Sequence, residues 1–247
     1  MLLKNKTAVI TGCNRGIGFS ILELFSKNGA NIVACIRKKD EDFENKVNQL
    51  SKQYKNTIDI ILLNLEHEKE IEKAFNEIKN LNVKIDILIN NAGINQISLF
   101  QMTPLEKIRS VFQINFFSAV SFTQKILKLI TKNNYSKIIN ISSNAAKLNS
   151  AGRSAYASSK AALISFTKVL SKELGNTKIC VNAIAPGLVE TDMMKNTSEK
   201  IKDEILNNTP LKKAASPEDV ANAALFLSSN SSNHITGETI FVTGGYE

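Results

Sequence analysis

Tyr156 and Lys160 stand four residues apart in the stretch Ser154–Glu173. On a helix that spacing puts both side chains on one face. An ammonium beside a phenol favours phenolate and would draw the Tyr pKa down towards neutrality. A tyrosine tuned in this way can give a proton to a carbonyl oxygen as hydride reaches the carbon, or take one in reverse. Tyr-x-x-x-Lys is common by chance in a lysine-rich chain, and its bland reading is an exposed helix pair. Three further positions raise it. Ser143 follows the apolar run Ile138–Ile141, where a hydroxyl could bond the same oxygen and stabilise its developing charge. Asn90-Asn91-Ala92-Gly93 ends another such run. Asn115 interrupts an apolar segment beside Ile114, Phe116 and Phe117. A buried amide there needs partners, so it is either a structural hydrogen-bonder or part of a proton relay.

A second constellation suits an anion. The first strand-like run leads into Thr11-Gly12-Cys13-Asn14-Arg15-Gly16-Ile17-Gly18. Glycines at a strand-to-helix turn allow a tight bend and close approach of a pyrophosphate, and the helix N-terminus offers it unpaired N–H groups. The spacing is G-x-x-x-G-x-G, and its bland reading is a tight turn only. The next strand ends in Cys35-Ile36-Arg37-Lys38-Lys39, where NAD enzymes commonly place an acid against the ribose 2′-hydroxyl. Arg37, with Arg15 from the turn, would instead attract a 2′-phosphate. The expected cofactor is therefore NADP, with NAD kept open by the nearby Asp40.

These residues need a frame to hold them. Near-continuous apolar runs read as strands buried on both faces: 7–11, 31–36, 58–63, 85–90, 137–141, 178–184 and 239–243. Helical patterns lie between them at about 16–28, 42–54, 67–80, 104–132, 154–175 and 217–228. Thr103 before Pro104 reads as an N-cap, and Ser216-Pro217-Glu218-Asp219 repeats the device. Strand–helix alternation throughout predicts an α/β fold, a doubly wound parallel sheet with helices on both faces. No linker or repeat interrupts it, so 1–247 reads as one domain. The stretch 187–216 carries no clear element and reads as a substrate lid.

Composition narrows the classes. The chain has 247 residues, is 43% hydrophobic and carries a net charge of +8, values of a globular protein with a basic surplus. That surplus raises nucleic acid as a partner, but the lysines are scattered and Trp is absent. Three distant cysteines, two isolated histidines (His67 and His234) and no long apolar stretch predict no disulfide framework, no metal site and no membrane span. The expected compartment is the cytoplasm.

From end to end the chain resembles the short-chain dehydrogenase/reductase family. The matching motifs are Thr11-Gly12-x-x-x-Gly16-Ile17-Gly18, Asn90-Asn91-Ala92-Gly93, Asn115, Ser143, Tyr156-x-x-x-Lys160 and Asn182-x-x-x-Pro186-Gly187. The resemblance implies a seven-stranded Rossmann sheet in the order 3-2-1-4-5-6-7. It implies a catalytic tetrad in which Tyr156 is the acid/base, Lys160 lowers its pKa and holds the nicotinamide ribose, Ser143 orients the carbonyl, and Asn115 positions a water. It implies cofactor contacts from Gly12, Asn14, Arg15, Gly16, Ile17, Gly18, Arg37, Asn64, Leu65, Asn91, Ala92, Gly93, Tyr156, Lys160, Pro186, Gly187, Val189 and Thr191. It also implies a homotetramer built on the two long helices and the last strand.

Ser154–Thr167, Val181–Met193 and Ile235–Gly245 look most like 3-oxoacyl-acyl-carrier-protein reductases. An acidic carrier protein would be steered by a basic face, for which Lys132, Lys137, Lys168, Lys172 and Lys178 are candidates. Some positions depart from that pattern. Asn64 replaces a usual Asp, Asn134 and Thr177 replace arginines, and Arg153 replaces a neutral amide three residues before Tyr156. Arg153 is a candidate to meet an anionic group on the substrate. The competing readings are a reductase of the same family acting on a sugar or other small carbonyl compound and, remotely, a basic nucleic-acid-binding module.

Overall fold

Seven β-branched runs form the strands of one sheet in the computed structural model, which describes residues 1–130, 135–195 and 198–246. They are β1 (Thr7–Thr11), β2 (Asn31–Ile36), β3 (Ile58–Leu62), β4 (Ile87–Asn90), β5 (Ser136–Ile141), β6 (Ile179–Pro186) and β7 (Thr239–Val242). Their order is β3-β2-β1-β4-β5-β6-β7, and every pairing is parallel. This is the expected doubly wound sheet. Successive side chains alternate between faces, so each strand feeds two cores. Ala8 and Ile10 of β1 join one cluster with Phe25, Phe43 and Leu227; Val9 joins the other with Phe75, Phe122 and Leu170.

Helices α1 (Gly16–Lys27), α2 (Glu41–Tyr54) and α10 (Pro217–Ser228) supply the first cluster. Helices α3 (Glu68–Asn80), α5 (Ser118–Ile126) and α7 (Ser154–Glu173) supply the second. The remaining helices are α4 (Leu105–Phe112), α6 (Ala145–Leu148), α8 (Asp192–Lys195) and α9 (Glu199–Asn208). A buried amide pair lies between β4 and β5. Asn90 and Asn140 are register partners, and Asn90 Nδ2 donates to Asn140 Oδ1 at 2.8 Å. Asn90 Nδ2 also reaches Thr123 Oγ1 at 2.9 Å, and Asn140 Nδ2 reaches Thr167 Oγ1 at 2.8 Å.

Several boundaries differ from the sequence expectation. The predicted helix 104–132 is broken: α4 passes through a π-helical turn, Gln113–Phe117, into α5. Asn115 lies in that turn, and its amide is engaged with the backbone of a neighbouring loop. Such single-turn bulges accommodate one inserted residue without ending the helix. Residues 131 and 132 lie outside the described residues. Pro104, not Thr103, is the N-cap of α4, because Thr103 Oγ1 instead donates to Leu99 O at 2.9 Å. The box at Ser216 forms as expected: Asp219 N donates to Ser216 Oγ and Ser216 N to Asp219 Oδ2. The fourth strand starts at Ile87, and Ile85 makes only an isolated bridge with Ile130. The stretch 187–216 holds α8 and α9 and is closed at its base by a bridge between Val189 and Ala215.

No helix among the described residues is long and apolar enough to cross a membrane. Among the same residues no group of three or more His, Cys, Asp or Glu could hold a metal ion.

Candidate active site

The carboxyl ends of β5 and the first turns of α7 lock together. Lys160 Nζ donates to Ile141 O at 2.8 Å, and Ser142 Oγ donates to Lys160 O at 2.8 Å. This places Tyr156 beside Ser143, whose side chain acts on its hydroxyl. Ser143 Oγ is steadied by the Ala145 N–H at 3.2 Å. Two hydroxyls therefore converge at the strand end where open α/β sheets bind ligands.

The electrostatics correct one expectation. Burial pushes the Tyr156 phenol up from its usual value, while the Ser143 hydrogen bond and the nearby Arg153 charge pull it back. Burial alone brings the Lys160 amine down to about 8. The Lys160 ammonium is turned to a backbone carbonyl in this structure, and burial is what shifts its pKa. Arg153 is half-buried just before α7, and its side chain makes no hydrogen bond or ion pair among the described residues.

Asn115, 1% exposed, holds the loop after β4. Its Oδ1 accepts from Ile94 N at 2.8 Å and its Nδ2 donates to Ile94 O at 3.0 Å. The same Nδ2 reaches Ser159 Oγ at 3.1 Å, and Ser159 Oγ donates to Tyr156 O at 2.8 Å. Gly93 sits where Asn115 and Lys160 meet: a Cβ there would lie 3.1 Å from Asn115 Oδ1 and 3.2 Å from Lys160 Nζ. The tetrad positions thus share one site. Ser142 and Ser159 support it and were missed from sequence; a serine three residues after Tyr156 that back-bonds the helix leaves only a faint signal.

The glycine turn is wired to the end of β4. Thr11 Oγ1 accepts from Asn91 N at 3.0 Å and Ala92 N at 3.1 Å. Asn91 Nδ2 donates to Thr11 O and Gly12 O at 3.0 and 2.9 Å. Gly12 has φ +65°, and a Cβ on it would lie 2.9 Å from Ala92 Cα. A Cβ on Gly18 would lie 2.3 Å from Gly12 O. Arg15 is the N-cap of α1, but its side chain caps no amide, and no acid stands in the first turn. The first-turn N–H groups are thus left for an anion. Ile17 packs on the first core cluster, and Thr191 closes against Gly16, 3.3 Å from where its Cβ would be.

Around this turn the charges are open at the surface. Arg37 pairs loosely with Glu66 at 3.9 Å and Arg15 with Asp192 at 3.8 Å, both guanidinium groups being exposed. Such pairs hold little. Asp40 is occupied: Oδ1 accepts from Phe43 N at 3.1 Å as the cap of α2, and Oδ2 accepts from Asn14 Nδ2 at 3.4 Å. Asn64 Oδ1 accepts from Glu66 N at 3.1 Å, and the Leu65 carbonyl accepts from Ser118 Oγ at 2.5 Å. Pro186 ends β6, Gly187 N donates to Val242 O at 3.0 Å, and Val189 is buried at the bridge to Ala215.

The basic-face expectation changes in part. Lys137 is fully buried, its Nζ bonded to Ser232 Oγ at 3.1 Å, because β5 carries it into the core. Lys168, Lys172 and Lys178 are exposed, while Lys132 and Asn134 lie outside the described residues. Both histidines are exposed, and all three cysteines are buried and free.

The parallel sheet, the glycine turn and the Ser–Tyr–Lys cluster define a class, and the chain belongs to the short-chain dehydrogenase/reductase family. A family model described as enoyl-(acyl carrier protein) reductase matches residues 12–247. The chain is 39% identical over 243 residues to a 3-oxoacyl-[acyl-carrier-protein] reductase of Aquifex aeolicus, covering 98% of each. It is 34% identical over 245 residues to a 3alpha-hydroxysteroid dehydrogenase of Mediterraneibacter gnavus, covering 99% of this chain and 98% of that one. Among solved structures, a short chain dehydrogenase from Burkholderia cenocepacia in complex with NADP superposes with TM-score 0.93 at 26% identity, covering 100% of this chain and 99% of that one.

Proposed function

We propose that the chain is an NADPH-dependent ketoreductase whose substrate is a 3-oxoacyl group carried on an acyl-carrier protein. One observation carries the chemistry: the side chain of Ser143 acts on the Tyr156 hydroxyl at the carboxyl end of β5, where Lys160 Nζ is held on Ile141 O. The likeness to a 3-oxoacyl-[acyl-carrier-protein] reductase over nearly the whole chain supports the substrate.

The residues present fit a dinucleotide phosphate. Gly12 and Gly18 keep the turn free of side chains, the uncapped first-turn amides of α1 would bind the pyrophosphate, and Arg37 with Arg15 would hold a 2′-phosphate. Asp40 is turned to the start of α2, one carboxylate oxygen on Phe43 N and the other on Asn14 Nδ2. When bound, NADPH supplies the hydride. Ser143 binds and orients the substrate carbonyl oxygen, and Tyr156 gives it a proton. Lys160, Asn115 and Ser159 hold the groups behind that proton, and Lys160 would bind the nicotinamide ribose. In this reading 1–247 is one catalytic domain and 187–216 its substrate lid. The exposed Leu105, Phe117 and Val169 on α4, the π turn and α7 supply contacts for a homotetramer, which light scattering would test.

The deciding experiment follows NADPH oxidation with acetoacetyl thioesters against a panel of sugars and cyclic ketones. Turnover of thioesters supports the reading; activity on the panel with none on any thioester replaces it. The second reading is a reductase acting on a small carbonyl or alcohol, favoured by the likeness to the steroid dehydrogenase and by the guanidinium of Arg153, which has no hydrogen-bond or ion-pair partner among the described residues.

A further inference from the structure

Asn144 follows Ser143 and is 2% exposed. Its backbone N–H donates to Pro186 O at 2.8 Å, tying the β5 and β6 ends together. Its side chain does something else: Nδ2 donates to the backbone carbonyl of Tyr246 at 3.0 Å, a contact 102 residues away in sequence. Tyr246 follows Gly244 and Gly245, with φ +64° and +88°, conformations that L side chains rarely adopt. These glycines are the seat of the 187–216 segment. Leu211 N donates to Gly244 O at 3.2 Å. A Cβ on Gly244 would lie 2.9 Å from Thr209 Cγ2, and one on Gly245 would lie 2.8 Å from Pro210 Cγ. The contacts therefore run without a gap from Ser143 through Asn144 and Tyr246 to Thr209–Leu211.

We propose that Asn144 is a positioning residue that ties the seating of the 187–216 segment to the loop carrying Ser143. The proposal rests on the reading of that segment as the substrate lid. The Asn144 amide fixes the Gly244–Tyr246 turn in the one place where Pro210 and Leu211 can lie on it. A seated segment then finds Ser143 already in place, and loss of the amide lets the two drift apart. Asn144 touches no reacting atom, so its effect falls on retention of the carbonyl substrate more than on the chemical step.

The test uses the full chain with NADPH and acetoacetyl thioester. Asn144→Asp keeps the size but removes the donor, and truncation after Gly245 removes the acceptor. Each raises KM for the carbonyl substrate about fivefold, the effect of one net hydrogen bond, with kcat changed less than about twofold. Trypsin cleavage at the exposed Lys212 and Lys213 rises in both variants. This readout needs no turnover, so it separates failure of the proposal from failure of the ketoreductase reading. Combining the two changes gives no further loss, because they break the same contact. Wild-type KM and cleavage in both variants would overturn the proposal, as would effects that multiply in the combination or a fall in kcat with KM unchanged. If Asn144→Asp does not fold, the truncation decides on the same readouts.

Discussion

Asn115 holds Ile94 by both of its backbone groups: the Asn115 amide oxygen accepts from the Ile94 N–H, and its amide nitrogen donates to the Ile94 carbonyl. Helix and loop are thereby fixed at the point where Gly93 approaches Lys160. Asn115→Ala removes the side-chain partners of two half-buried backbone groups and is expected to cost about 1–2 kcal/mol, read from the urea midpoint. Asn115→Asp keeps the acceptor but loses the donors to Ile94 O and Ser159 Oγ; its midpoint should fall between those of the other two proteins.

Removing the Tyr156 hydroxyl removes the proposed proton donor. Tyr156→Phe should lower kcat by about 10²–10⁴-fold, the usual share of a general acid. NADPH binding, followed by fluorescence titration, should stay within about twofold, because the phenyl ring preserves the packing.

The pH profile follows from opposite shifts of two neighbours. Burial brings Lys160 down to about 8, so its ammonium is present below that pH and lost above it. Burial raises Tyr156, which therefore stays protonated through the same range. For the reductive direction kcat/KM should be level near pH 7 and fall as pH rises through about 8, the limb belonging to Lys160. Rates measured across that range with saturating NADPH check it; a level profile to pH 10 would assign Lys160 no role in its charged form.

Cofactor choice should reside in Arg37 and not in Asp40. Arg37→Ala removes a charge-assisted contact with a 2′-phosphate and is expected to raise KM for NADPH about 10–100-fold while leaving NADH nearly unaffected. Asp40→Ala should keep the preference and instead cost about 1 kcal/mol of stability as a lost helix cap. Steady-state kinetics with both cofactors and a thermal melt separate the two effects.

Much of the fold was legible because buried parallel strands write themselves as apolar runs. TAVIT, NIVACI and KIINI needed only their near-continuous apolar character. The π turn was not legible, since Gln113–Phe117 reads as helix by composition and its bulge is set by the tertiary bond from Asn115 to Ile94. The site residues could be singled out by type and order, but the charge relationship between Tyr156 and Lys160 could not. Spacing put them on one face, whereas burial and the Ile141 carbonyl decide where the ammonium points. Lys137 failed for the same reason: a lysine in a strand is read as exposed until Ser232 supplies a buried partner.

The amide pair Asn90 and Asn140 gives the centre of the sheet an index mark. Apolar side chains on adjacent strands tolerate many alignments, since one isoleucine packs much like the next. Two buried amides that bond each other, each also served by one threonine, tolerate one alignment. A slip of β4 along β5 would strand polar groups in a dry layer, a penalty that no neighbouring isoleucine could offset. The chain thus carries, beneath the candidate active site, a chemical key that sets which residues of β4 and β5 stand side by side, and so the level at which the segments that carry Gly93 and Ser143 leave the sheet.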